Sequence, residues 1–188
     1  MKKLVSILAF GVITVALHAQ ALKGQFLLGG SADISAARTG KNSSFNLSLS
    51  PTFAAFVVNG FAVGGRYSFS VGNTKNYDNN KKEYVATTTF SSGVGPVLRY
   101  YIGKKQLKGL VGLNASYLTV TTLRKSNVSG TNGFNVNGSA GIAYFLNPHL
   151  SLESAFYATV SGYKGSLPTT RIGFQVGFFV FVDKKKKE

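Results

Sequence analysis

Residues 170–182 read Thr-Arg-Ile-Gly-Phe-Gln-Val-Gly-Phe-Phe-Val-Phe-Val. Side chains alternate across a strand with period 2. One face is then Ile172, Phe174, Val176, Phe178, Val180 and Val182, continuously apolar. The other is Arg171, Gly173, Gln175 and Gly177, followed by Phe179 and Phe181. A soluble sheet turns its apolar face to a core. Here the polar face is too glycine-rich, and the pattern too often repeated along the chain, for that arrangement. The economical solution is a barrel turned inside out, with lipid outside and a polar lumen.

The rest of the chain supplies seven more stretches of this kind. They lie near residues 24–35, 44–57, 61–72, 87–103, 107–123, 131–146 and 149–161. In the third, Phe61, Val63, Tyr67, Phe69 and Val71 oppose Gly64, Arg66, Ser68 and Ser70. In the sixth, Phe134, Val136, Ile142 and Tyr144 oppose Asn135, Asn137, Ser139 and Gly141. Pro51 interrupts the second and predicts a bulge, because proline removes a ladder donor. Short turns near residues 59, 105 and 147 alternate with polar connections near 39, 79, 127 and 165. Short periplasmic turns and longer outer loops are the layout of an outer-membrane barrel. The expectation is an all-β, eight-stranded, antiparallel, up-and-down transmembrane barrel over residues 22–182, with both termini periplasmic. Aromatic girdles are expected at both rims: Phe53, Phe61, Tyr100, Tyr144 and Phe181 toward the short turns, and Phe45, Phe69, Phe90, Tyr117 and Phe134 toward the loops.

Residues 1–21 have the three parts of a cleaved signal peptide. Lys2 and Lys3 are basic, residues 4–17 are apolar, and Ala19-Gln20-Ala21 is a cleavage pattern. The apolar run is shorter than the roughly 20 residues of a membrane span. Residues 183–188 form a charged periplasmic tail. The chain has no Cys, so disulfide and thiolate chemistry are excluded. Its formal charge is +15. Export and the absence of a recognisable motif argue against nucleic acid as the reason for that charge.

Five charges fall on the polar faces: Asp33, Arg66, Arg99, Glu153 and Arg171. Buried charges are costly unless paired, which predicts a salt-bridge network in the lumen. Asp33 and Arg171 are expected to pair at the closing seam. Glu153 and Arg99 are expected to pair lower down, with Arg66 above them. A polar plug is the plainer role for this set, and a narrow pore or ligand pocket the sharper one. Eight basic residues fall in the outer connections: Arg38, Lys41, Lys75, Lys81, Lys82, Arg124, Lys125 and Lys164. They suit the phosphates of lipopolysaccharide, though plain solvated charge explains them equally well. His149 stands beside the Asn147-Pro148 turn, away from the outer end. No paired carboxylates and no metal-ligand spacing are visible. Neither an enzyme nor a cofactor is expected.

With its strands placed, the chain resembles the small eight-stranded outer-membrane barrels of the OmpA/OmpX type, and in particular the short single-domain barrels of Bacteroidetes-like bacteria. The resemblance covers residues 22–182. It rests on Ala19-Gln20-Ala21, on repeats such as Gly93-Val94-Gly95-Pro96-Val97-Leu98-Arg99-Tyr100-Tyr101, and on the aromatic last strand. It implies insertion by the barrel-assembly machinery, a monomer, and a role in envelope integrity or surface interaction. Two other functions fit the sequence. One is a narrow porin-like pore for small solutes. The other is a soluble periplasmic lipocalin-like barrel, which needs the apolar face inward.

Overall fold

The structure is a computed structural model and describes residues 23–78, 82–103, 105–124, 127–163 and 167–183. The predicted signal peptide and all but the first residue of the charged tail lie outside them.

Eight strands follow one another: β1 (Gln25–Thr39), β2 (Asn42–Val58), β3 (Phe61–Asp78), β4 (Glu83–Ile102), β5 (Leu107–Arg124), β6 (Asn127–Asn147), β7 (Leu150–Tyr163) and β8 (Thr169–Asp183). Each pairs antiparallel with the next, and β8 returns to β1 to close the barrel. The predicted alternation survives in every strand. Ile34, Phe45, Leu49, Val94, Phe134, Phe156 and Ile172 stand exposed on the outer surface. Ser50, Thr52, Asn114, Ser116 and Ser151 are buried inside. This contradicts the lipocalin-like alternative, because the apolar faces point out over the height of the wall.

Several details depart from the expectations. The strands run longer, and the polar connections are mostly strand. Residues expected in a loop between β3 and β4 pair in register from Asn73↔Thr88 to Asp78↔Glu83. Backbone pairing needs no apolar face, so a polar hairpin above the membrane carries no alternation to read. Pro51 pairs with Gly30 on one side. On the other side the β2–β3 register runs from Leu49↔Phe69 to Thr52↔Arg66 without a shift. The irregularities fall instead at Phe56/Val58 and Phe145/Asn147, beside the short turns. Phe181 is not a girdle residue: it points inward and is 1% exposed.

That inward Phe181 belongs to an apolar cluster that fills the short-turn end of the lumen. Leu27, Phe56, Val97, Tyr101, Leu110, Phe145, Phe179 and Phe181 are all buried there. Phe181 lies 5.8 Å from Phe56, 6.0 Å from Tyr101 and 4.9 Å from Phe145, ring centre to ring centre. An eight-stranded barrel is just wide enough for side chains to fill it.

Candidate functional site: a blind cup above a buried ion pair

Above the aromatic plug lies a charged layer. Arg99, from β4, forms an ion pair with Glu153, from β7, across the lumen. Both are buried, at 8% and 4% exposure. Glu153 also accepts from the Tyr101 hydroxyl at 2.7 Å and the Ser151 hydroxyl at 3.4 Å. The Arg99 guanidinium stacks on the Phe179 ring at 4.1 Å. A buried carboxylate with three donors and a guanidinium lying on an aromatic face meet the conditions under which low-dielectric charge is tolerated. Lys108 is a further inward cation, 4% exposed, with its ammonium 4.5 Å from the centre of the Phe145 ring. Lys108 was not among the predicted lumen charges, although its parity with Gly112 and Asn114 places it on the lumen face.

Arg66 occupies the next level. It donates to the Ser31 hydroxyl at 2.7 Å and has no carboxylate partner among the described residues. Asp33 and Arg171 do not pair with each other. The β1–β8 ladder ends at Ala32↔Val176, and continuing that register puts Arg171 opposite residue 37. Four residues of strand separate the two, about 13 Å. Asp33 instead accepts from the Tyr157 hydroxyl at 3.1 Å. Tyr157 reaches it by lying over Gly173 of β8, where a Cβ would stand 2.4 Å from the hydroxyl oxygen. An inward glycine beside an aromatic was the available sign of this contact.

Above Arg66 the lumen opens into a cavity of about 840 Å³, walled by hydroxyl and amide side chains such as Asn46, Ser48, Ser70, Asn114, Asn135 and Thr159. Below it, between Arg99, Glu153 and Phe179, remains a void of about 10 Å³. That is room for about one water. The lumen is therefore a cup, open at the loop end and closed at the short-turn end.

The outer basic residues are placed as follows. Arg38 and Lys75 project outward from one cross-strand row, Arg38↔Ser43↔Lys75. Lys41 lies over the Tyr77 ring at 4.1 Å. Lys82 and Arg124 are exposed at the same end. Lys81, Lys125 and Lys164 lie outside the described residues. At the other end, His149 Nδ1 is 3.1 Å from the Phe181 carbonyl, and its backbone N–H donates to Asn147 Oδ1 at 2.8 Å. No cluster of three metal-ligating side chains occurs among the described residues.

Ring closure, outward apolar faces, inward polar faces and aromatic pairs at the rims define a small eight-stranded outer-membrane β-barrel fold, of the OmpA/OmpX type. Solved structures share it. The outer membrane protein OprG from Pseudomonas aeruginosa aligns with a TM-score of 0.56 at 16% identity, over 89% of this chain and 98% of that one. Neisserial surface protein A aligns with a TM-score of 0.49 at 16% identity, over 88% and 99%. The outer membrane enzyme PagL aligns with a TM-score of 0.44 at 12% identity, over 84% and 99%. At 16% identity the likeness to OprG is one of fold. No family model matches the chain, and no curated protein does.

Proposed function

We propose that this chain is a non-enzymatic integral outer-membrane protein that strengthens the envelope by holding lipopolysaccharide phosphates at its outer rim. Its short turns and both termini face the periplasm, and the barrel-assembly machinery inserts it as a monomer. The observation that carries this reading is the row Arg38↔Ser43↔Lys75, with two cations on the outer surface two strands apart. At about 4.8 Å per strand their backbones stand about 10 Å apart. They sit above the exposed apolar side chains of the same strands, Ile34 on β1 and Phe69 on β3. A lipid whose phosphates lie at the membrane edge meets such cations without leaving its place in the leaflet. Arg and Lys both serve phosphate, Arg as a fork and Lys as a point charge.

The non-enzymatic reading draws on the position of His149, the mature chain's only histidine on the predicted cleavage, tied into the turn at the closed end. The closed base argues against the pore alternative. The test is a binding titration of purified lipopolysaccharide to the refolded barrel in neutral detergent. Arg38→Gln combined with Lys75→Gln is expected to weaken binding at least tenfold, and salt near 0.5 M to weaken the wild type as exposed charges are screened. Unchanged binding in the double variant would overturn the reading.

A further inference from the structure

The barrel wall is incomplete on one side. Strands β1 and β8 pair only from Gln25↔Asp183 to Ala32↔Val176. Above that level β1 continues to Thr39, bonded only to β2, and β8 begins at Thr169, bonded only to β7. The cavity reaches this gap. Its lining includes Ile34, Ala36, Ile172 and Phe174, which by alternation point away from the lumen. They stand on the two strand edges that the ladder leaves unpaired. The rise along the barrel axis is about 2.5 Å per residue for a strand tilted near 40°. Ile34 therefore stands about 20 Å above Phe26, whose ring stacks on the girdle residue Phe53, at the outer leaflet of a bilayer whose core is about 30 Å thick.

An unpaired sheet edge is not tolerated facing lipid, unless it lines a polar cavity or is covered. This slot has two chemically different sides. Its rim is apolar. Behind the rim, inside the cup, stands Arg66 with one protein hydrogen bond, and Arg171 at the mouth; among the described residues lining the cup Asp33 is the one carboxylate. Asp33 is already engaged by Tyr157. A guanidinium carries five donors, and Arg66 spends one of them on Ser31. Three cup amides each keep a buried polar atom without a partner: Asn46 Nδ2, Asn114 Oδ1 and Asn135 Oδ1.

We propose that the slot and cup together form a lateral binding site for a single-chain anionic amphiphile. The anionic head enters the cup toward Arg66 and Arg171, and the acyl chain leaves through the β1–β8 slot into the outer leaflet. The charge balance selects an anion, and the apolar rim selects a chain. The lipopolysaccharide row starts on the same edge of β1, at Arg38 two residues above Ala36, but the laurate site is read through Arg66 inside the cup; Arg38→Gln combined with Lys75→Gln is expected to leave laurate occupancy unaltered, so either assignment can fail without the other.

The test uses native mass spectrometry of the barrel refolded in a neutral oligo-oxyethylene detergent. Heat-shifted migration on a gel first establishes that each variant is folded. Lauric acid is the probe. Lauryl alcohol is the same chain without charge, and butyrate the same charge without a chain. The expected result is one laurate per barrel, with lauryl alcohol and butyrate each at least tenfold weaker. Arg66→Gln is expected to lower laurate occupancy at least tenfold and Arg66→Lys to keep most of it. Ala36→Trp, which sets an indole at the rim of the slot in the path of the acyl chain and leaves both arginines in place, is expected to lower it at least tenfold, and it carries the test if Arg66→Gln does not refold. Lys105→Gln, an equal charge change at the closed end, is expected to leave it unaltered. Displacement of laurate by lysophosphatidylglycerol would support the site and name the bilayer as the source of the ligand. Uptake of laurate alone would support it with the ligand arriving from outside. The proposal is overturned if lauryl alcohol or butyrate matches laurate, if Ala36→Trp binds as the wild type does, or if several laurates bind without saturation.

Discussion

At the scale of single residues, the barrel is organised by where each charge finds a partner. Glu153 holds the centre of the lower lumen, with Arg99, Tyr101 and Ser151 all directed at it. Removing one member of a buried pair leaves the other uncompensated, at a cost of about 3–5 kcal/mol. Glu153→Ala is therefore expected to lower the urea midpoint of unfolding in detergent sharply. The double variant Glu153→Leu with Arg99→Met is expected to recover most of the loss, because an apolar pair of similar size avoids the desolvation cost. A double variant as unstable as the single one would show that the pair supplies more than mutual neutralisation. The inward side of each charge was legible, since parity needs only the sequence. The partners were legible less often. Parity says which residues enter the lumen, while register and shear decide which of them meet. Arg99 and Glu153 meet. Asp33 meets Tyr157, because the β1–β8 register carries Arg171 four residues too high.

Among the elements, β8 shows both what the alternation conveys and what it leaves out. Its outward residues, Ile172 to Val182, were legible as a lipid face. The exchange of Gly177 for Phe179 and Phe181 on the inward face marked the change from cup to plug, although Phe181 was expected in the girdle. Phe179 and Phe181 pack where Phe56, Tyr101 and Phe145 converge. Replacing both by Ala should open a path through the closed end. Planar bilayers are expected to be silent with the wild-type barrel and to show small, steady conductance with Phe179→Ala combined with Phe181→Ala. A wild type that conducts as well as this variant would mean that the plug does not seal. The polar hairpin ends of β3, β4 and β6 were not legible as strands. Stretches such as Asn73-Thr74-Lys75-Asn76 present no apolar side, and ladder hydrogen bonds, with the Asn73 amide donating to the Thr88 hydroxyl at 3.2 Å, hold them extended.

For the whole molecule, one inversion explains the rest. The outer surface is apolar because lipid is its solvent, and the lumen is polar because a strand has to put its other side chains somewhere. Ring closure then satisfies the backbone that lipid cannot, except along the upper β1–β8 slot, where the cup lies behind the gap. The molecule reads as a cup with a sealed base, a cationic floor, one lateral opening and a basic outer rim. All of this depends on the apolar face being the lipid face. The most direct measurement is the migration of unheated and heated protein on a detergent gel, taken from carbonate-washed outer-membrane fractions. The account predicts that the protein stays with the washed membranes, and that the unheated band runs faster because the closed barrel resists the detergent until boiled. Release into the carbonate wash, with one band position before and after heating, would contradict it.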